Sequence, residues 1–368
     1  MKMSNNNTTT ARVNNAKQTT KQTTGAASKD SNMTSLNNNQ LKKVNKFSLH
    51  KDEINPQFRI AFINTGYRKP YIEASECVQS AFSPHCNETF NIWSHVIALF
   101  LFIWKFYDVF STKHSLLDPE NWPLLVAGIG ICGFCIASSA AHMFNSMSLA
   151  AHNSCFFMDY AAISVYSVGL GQAFYFCSRP LNPELGVFKS EWPFIAVSLL
   201  TSVSTTFLCC KTRIHWQRYK YIVRTALCVV PFFVNTAPFL YRANIACTND
   251  VDCISPASLW AFQMHFFISV LAAIVNSLRF PENVFPGVFD VFGQSHNLLH
   301  VFVATGASYL FDTLRFDMIA RRHKLMLNPV QSSVFNTLLP FVAGIVINVG
   351  IALVFSRSKV EEVREKHE

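Results

Sequence analysis

Residues 122–143 read WPLLVAGIGICGFCIASSAAHM, an apolar run that ends beside a histidine. A helix needs about 20 mostly apolar residues to cross the hydrocarbon core of a bilayer, so this run predicts a membrane span. An ionisable side chain at membrane depth is costly, and such a residue is by default a candidate functional residue. His142, with Ser138 one helical turn before it, therefore marks the start of a predicted site.

Seven further stretches are apolar enough to span a bilayer. Half of the 368 residues are hydrophobic and only 14% are charged, which is typical of a polytopic membrane protein. We predict an all-α membrane protein, with a bundle of seven transmembrane helices and an eighth helix at the C-terminus. The predicted spans are residues 91–110, 122–143, 155–177, 193–210, 221–241, 257–278, 295–311 and 335–356.

The charge of the chain is concentrated before the first span. Residues 1–70 hold twelve Lys and Arg against three Asp and Glu, which equals the net charge of +9 of the whole chain. Because the whole excess of positive charge lies in this N-terminal region, it does not indicate a folded nucleic-acid-binding domain. No nucleic-acid-binding motif is present either. The predicted parts are a disordered basic cytoplasmic tail (1–45), a juxtamembrane segment (46–90), a seven-helix core (91–311), an eighth helix (335–356) and a charged C-terminal tail (357–368).

The positions of Lys and Arg also predict the orientation. Basic residues precede the first span and occupy the loop between the fourth and fifth spans, which places the N-terminus in the cytoplasm. The loop between Cys247 and Cys253 then lies outside, where a disulfide between them is plausible.

One basic stretch, between the seventh and eighth predicted spans, disagrees with this orientation. Either the eighth segment does not cross the membrane, or the earlier charges override this loop, and we favour the second explanation. The residues concerned are Arg315, Arg321, Arg322 and Lys324.

Three ionisable residues join His142 on the cytoplasmic side of the predicted bundle. Asp159 lies near the start of the third span, and His296 and His300 lie in the first two turns of the seventh. The two histidines are four residues apart, so their rings project from one helix face. Three imidazoles with an open fourth position are the arrangement of a catalytic zinc site, and we predict that His142, His296 and His300 bind Zn²⁺.

Two further residues have predicted roles beside the metal. Asp159 either ligates the metal or holds a water as its base, and Ser138 hydrogen-bonds that water or a substrate carbonyl. The plainer alternative is that the metal only ties three helices together.

Residues 87–95, NETFNIWSH, resemble the signature that opens the membrane core of the progestin and adipoQ receptor family, which also includes adiponectin receptors and haemolysin III-like proteins. The segments 138–142, 159–160 and 296–300 look like the remaining signatures of that family, in the same order. The resemblance covers about residues 65–312, and residues 141–148 with the eighth helix look more like the membrane progestin receptor branch.

The resemblance implies a seven-helix core with a cytoplasmic N-terminus. It implies zinc held by three histidines matching His142, His296 and His300, with a carboxylate matching Asp159 nearby. By analogy, Glu88 supports this site from the start of the first span.

The function implied by the resemblance is that of a plasma-membrane receptor for a steroid, progestin-like, or for a related lipid. Its expected partners are the lipid ligand, the membrane and a cytoplasmic signalling protein such as a heterotrimeric G protein. The alternative is a zinc-dependent lipid amide hydrolase, because alkaline ceramidases are similar in the same elements. Such an enzyme would regulate the lipid composition of the membrane.

Overall fold

A computed structural model describes residues 46–112, 117–215, 219–245 and 252–365 of the chain. The predicted tail over residues 1–45 lies outside these ranges. Cys247 also lies outside them, so its pairing with Cys253 stays a prediction.

The described chain is helical, and eight of its helices are longer than 20 residues. Each predicted span falls on one of them, although the eighth begins with a short π-helical turn at Val334–Leu338. The prediction of an all-α membrane protein is therefore confirmed. The long helices are α1 (Thr89–Thr112), α2 (Trp122–Phe144), α3 (Leu149–Ser178), α4 (Glu191–Ile214), α5 (Lys220–Ile245), α6 (Pro256–Leu278), α7 (Ser295–Met326) and α8 (Leu339–Glu365).

Six of these helices are both long and apolar enough to cross a membrane, and α3 and α7 are the two that fall short in composition. Both have a polar interior face. Helix α3 carries Asp159 and the buried Gln172, and α7 carries His300 and the buried Asp317. Helices of this kind are shielded from lipid by their neighbours, so their composition understates their membrane character. The number of crossings stays a prediction.

Helix α3 is the centre of the bundle, since it packs against α2, α4, α5, α7 and α8. Close packing is possible because small residues lie at the contacts. A Cβ added at Gly169 would lie 2.6 Å from the backbone oxygen of Val126 on α2. The two backbones therefore touch at a place where only glycine fits.

Gly169→Ala is expected to destabilise the protein by about 1–3 kcal/mol, because the new methyl group forces α2 and α3 apart. Gly133→Ala on α2 is the matched control, since nothing lies within 4 Å of a Cβ there. The control should be neutral or slightly stabilising, because alanine favours helix more than glycine does. Thermal unfolding of both variants in the same lipid nanodiscs measures the difference, and equal melting temperatures would contradict the packing argument.

Helix α7 continues well beyond its predicted end at residue 311, to Met326. The basic residues assigned to a loop after the seventh span are therefore helical. Three of them pair with carboxylates, so they are weak evidence about orientation. The pairs are Arg315 with Asp108, Arg321 with Asp252 and Arg322 with Glu120.

The segment before α1 folds back against the end of α2. Leu49 and Tyr67 exchange backbone hydrogen bonds, and a small core that includes Ile54 and Phe58 forms around them. The buried Arg68 guanidinium donates to the backbone oxygen of His142 at 2.7 Å and to Asn145 Oδ1 at 2.6 Å. A cation that satisfies the free carbonyls at a helix C-terminus stabilises that end. Arg68 thereby fixes the turn that carries His142.

Candidate metal centre

The three predicted histidines meet at one end of the bundle. His142 lies on the last turn of α2, and His296 and His300 lie on the first two turns of α7. Each offers a ring nitrogen, and these atoms all lie within 4.8 Å of one another. The Nε2 atoms of His142 and His296 are 3.2 Å apart. This group could hold a metal ion.

Two outer contacts orient these rings. Glu88 Oε2 lies 2.7 Å from His142 Nδ1, and Ser94 Oγ lies 3.0 Å from His300 Nδ1. The Nδ1 atoms of His142 and His300 are thus occupied, which leaves the Nε2 atoms of these two rings available to a metal. Hydrogen bonding of the second ring nitrogen to a carboxylate or another polar group is usual for metal-binding histidines.

Glu88 is held as a carboxylate just before α1. Asn91 and Asn145 donate side-chain hydrogen bonds to it at 2.8 and 2.9 Å. Burial by itself would raise the pKa of Glu88, but the neighbouring His142 and Arg68 outweigh it and hold this pKa below its usual range. The resemblance assigned Glu88 a supporting role, and its contact with His142 agrees with that role.

Glu88→Gln is expected to weaken metal binding by roughly 10- to 100-fold, because the amide is a poorer acceptor from His142 Nδ1 and carries no charge. Competition for the metal against a fluorescent chelator measures this affinity. Ser94→Ala, which removes the neutral partner of His300, should have a smaller effect. An unchanged affinity in Glu88→Gln would contradict the orienting role of the carboxylate.

Asp159 and Ser138 lie beside the histidines, on facing helices α3 and α2. The Asp159 carboxyl interacts with the Ser138 hydroxyl and lies within the electrostatic influence of His142. Its Oδ1 atom is buried and has no hydrogen-bond partner. A buried polar atom without a protein partner is free to accept a hydrogen bond from a water or to contact an ion. The donor set and this oxygen therefore fit a metal ion with an associated water.

His95 belongs to the same cluster and was missed by sequence reasoning. Its ring stacks on His300 with centroids 4.0 Å apart and planes 14° apart, and neither of its ring nitrogens has a partner. A single histidine near a helix end carries little weight by itself. Its spacing could have found it, since Asn91 and His95 share one face of α1 and Glu88 precedes Asn91 by three residues, just before the helix begins.

A cavity of about 980 Å³ extends from the histidines into the bundle. Residues of α1 to α7 and of the segment before α1 line it. Its lining is largely apolar, with Phe232 and Leu310 among the lining residues. Polar side chains also line the cavity, including Asn235, His265 and Arg224, and the guanidinium of Arg224 lies over the ring of Tyr160 at 5.1 Å. A largely apolar cavity with a smaller number of polar groups in its lining is typical of a small-molecule site.

Comparison with known proteins agrees with this architecture. The chain is 30% identical to membrane progestin receptor gamma-A of Danio rerio over 314 residues. The aligned region covers 80% of this chain and 90% of that receptor. Membrane progestin receptor delta of Homo sapiens is 31% identical over 266 residues, covering 71% of this chain and 76% of that receptor. Membrane progestin receptor alpha of Cynoscion nebulosus is 28% identical, and the aligned region covers 72% of this chain and 74% of that receptor.

A family model for haemolysin-III related proteins matches residues 83–311, which is more than half of the chain. The match includes Glu88, Asp159 and the three histidines. The chain therefore belongs to the haemolysin-III related family, as its resemblance to the progestin and adipoQ receptors predicted.

Proposed function

We propose that the protein is a plasma-membrane receptor for a steroid or related lipid, with its N-terminus in the cytoplasm. The observation that carries the proposal is the largely apolar cavity that opens onto the histidine cluster. Its volume lies at the upper end of the range of about 300–1,000 Å³ that is usual for small-molecule sites. The names of the relatives favour a progestin-like ligand. A cytoplasmic signalling protein, such as a heterotrimeric G protein, would read the ligand-bound state.

We further propose that the metal is zinc, held by His142, His296 and His300. Three neutral imidazoles suit Zn²⁺, and catalytic zinc sites keep a fourth position open. Asp159, whose Oδ1 atom has no hydrogen-bond partner, would then hold a water near the metal. In a receptor, the metal would hold α2 and α7 together at the mouth of the ligand cavity.

Saturable binding of radiolabelled progesterone by the purified protein in nanodiscs tests the receptor proposal. Ala273→Phe should abolish or strongly weaken binding, because Ala273 lines the cavity and a phenyl ring would occupy ligand space. Ala226→Phe, at an exposed position of α5, is the matched control and should bind as wild type. If folded wild-type protein binds no steroid, the proposal fails in its progestin form.

A second candidate is a lipid amide hydrolase, favoured by the unpartnered Asp159 oxygen beside the histidines. In this reaction the Asp159 carboxylate takes a proton from a water whose oxygen attacks the amide carbon. Ser138 donates a hydrogen bond to the carbonyl oxygen as negative charge develops on it. The carbon–nitrogen bond breaks, and Asp159 returns the proton to the departing amine. Bound zinc would supply Lewis-acid polarisation of the carbonyl.

Release of fatty acid from ceramide separates the two candidates. An amidase should lose activity in zinc-stripped protein, in His300→Ala and in Asp159→Asn, whereas only Asp159→Asn should still bind zinc. The loss expected for removing a general base is about 10²- to 10⁴-fold. Wild-type protein that is folded and zinc-loaded but releases no fatty acid would exclude ceramidase activity and favour the receptor.

A further inference from the structure

The segment that joins α6 to α7, residues 279–294, exposes large apolar side chains and buries its charged ones. A water-exposed loop would do the reverse. Five large apolar side chains point outward and are between 47% and 72% exposed. Soluble proteins rarely expose so many large apolar groups within so short a stretch. These residues, here called the apolar rim, are Phe280, Val284, Phe285, Val288 and Phe292.

The charged side chains of the same segment point inward. Glu282 is buried and accepts a hydrogen bond from the backbone N–H of Ser295 at 2.7 Å. Asp290 is also buried and accepts from the backbone N–H of Thr65 at 2.7 Å and from the Thr65 hydroxyl at 2.8 Å. Arg279, the other charged residue of the segment, is also buried, and its Nη2 lies 3.1 Å from Glu282 Oε1. The outward surface of the segment therefore carries no charge.

The backbone of the segment satisfies much of its own hydrogen bonding. The N–H of Asn283 donates to the oxygen of Arg279 at 3.0 Å, and the N–H of Phe285 donates to the oxygen of Pro281 at 3.1 Å. The Asn283 side-chain amide donates to the oxygen of Leu278 at 2.6 Å. Internal pairing of this kind is what a low-dielectric environment demands, because lipid offers backbone groups no partners.

The apolar rim is continuous with the outer faces of the neighbouring helices. The ring of Phe292 packs edge-on against that of Phe90 on α1, with centroids 5.1 Å apart. Ile274 and Leu278 of α6 are also exposed and lead into the rim from the other side. The apolar rim therefore adjoins exposed apolar residues of α1 and α6, the helices whose outer faces we expect to contact lipid.

We infer that the apolar rim is inserted in the membrane interface, in the leaflet that contains the histidine cluster. A protein-docking patch would carry a polar or charged border around its apolar centre, and the outward surface of this segment has no charged group. Interfacial segments instead bury their apolar face roughly 5–10 Å into the boundary between head groups and acyl chains. His296 follows the segment by two residues, so the lipid-anchored segment would fix the depth of the metal site. The inference does not depend on which ligand fills the cavity.

Paramagnetic broadening of a ¹⁹F NMR signal tests this inference. p-Trifluoromethylphenylalanine is placed at Phe285 or, in a second protein, at Val288, and each protein is reconstituted in phosphatidylcholine nanodiscs. Both signals should broaden with 5-doxyl-phosphatidylcholine and resist an aqueous gadolinium chelate. The control position is Glu53, which is exposed on the segment before α1 and should respond in the reverse way.

Two results would overturn the inference. Broadening of both rim positions by gadolinium, to the extent seen at Glu53, would place the rim in water. Resistance of both positions to the lipid and to the aqueous probe would mean that protein covers the rim. Agreement between the two rim positions guards against a local disturbance at either one.

Discussion

Replacing His142, His296 or His300 by alanine is expected to abolish the zinc binding that we propose for the wild-type protein. Each variant removes one of three nitrogens that lie within 4.8 Å of one another. Loss of an inner ligand should exceed the roughly 10- to 100-fold weakening that is typical for an outer partner. Inductively coupled plasma mass spectrometry on protein purified in chelator-treated buffer measures the zinc content.

His265→Ala is the matched control for these variants. His265 is a buried histidine that lines the same cavity, but its Nδ1 lies 2.7 Å from the backbone oxygen of Gly306 and it lies outside the metal-ligand group. The His265→Ala variant should therefore bind zinc as the wild-type protein does. Zinc loss in this control would point to general unfolding, and zinc retention in His296→Ala or His300→Ala would remove that residue from the ligand set.

The main elements of the fold could be predicted because apolar runs of about 20 residues are typical of membrane-spanning helices. The meeting of His142 with His296 and His300 could also be predicted, since the order of the spans places their helix ends on one side. The identity of the metal does not follow from this geometry, because imidazole nitrogens accept several transition metals.

Other features escaped prediction because they depend on tertiary contacts. The continuation of α7 to Met326 depends on partners for its cations, such as Asp108, Asp252 and Glu120, which lie far away in sequence. The role of Arg68 in closing the end of α2 likewise joins two distant segments. Such pairings lie outside what hydrophobic periodicity can reveal.

Asp317→Ala is expected to destabilise the protein by about 3–5 kcal/mol, because it leaves a buried charge without its partner. Asp317 Oδ1 accepts a hydrogen bond from Arg242 Nη2 at 2.7 Å, and its Oδ2 accepts from the Ser178 hydroxyl at 2.7 Å. Both charged residues are almost fully buried where α3, α5 and α7 meet. Removal of the carboxylate also leaves Arg242 beside Arg321, another buried cation that lies within its electrostatic influence.

Two controls make this expectation specific. Asp108→Ala breaks the partly exposed pair with Arg315 and should change stability by less than about 1 kcal/mol. The double variant Arg242→Met with Asp317→Leu removes both charges and should recover most of the loss, since apolar groups of similar size often replace a buried ion pair at little cost. Unfolding in mixed detergent and dodecyl sulfate micelles gives the free energies for all three. If Asp317→Ala lowers the free energy of unfolding as little as Asp108→Ala does, the buried Arg242–Asp317 pair does not stabilise the packing of α5 against α7.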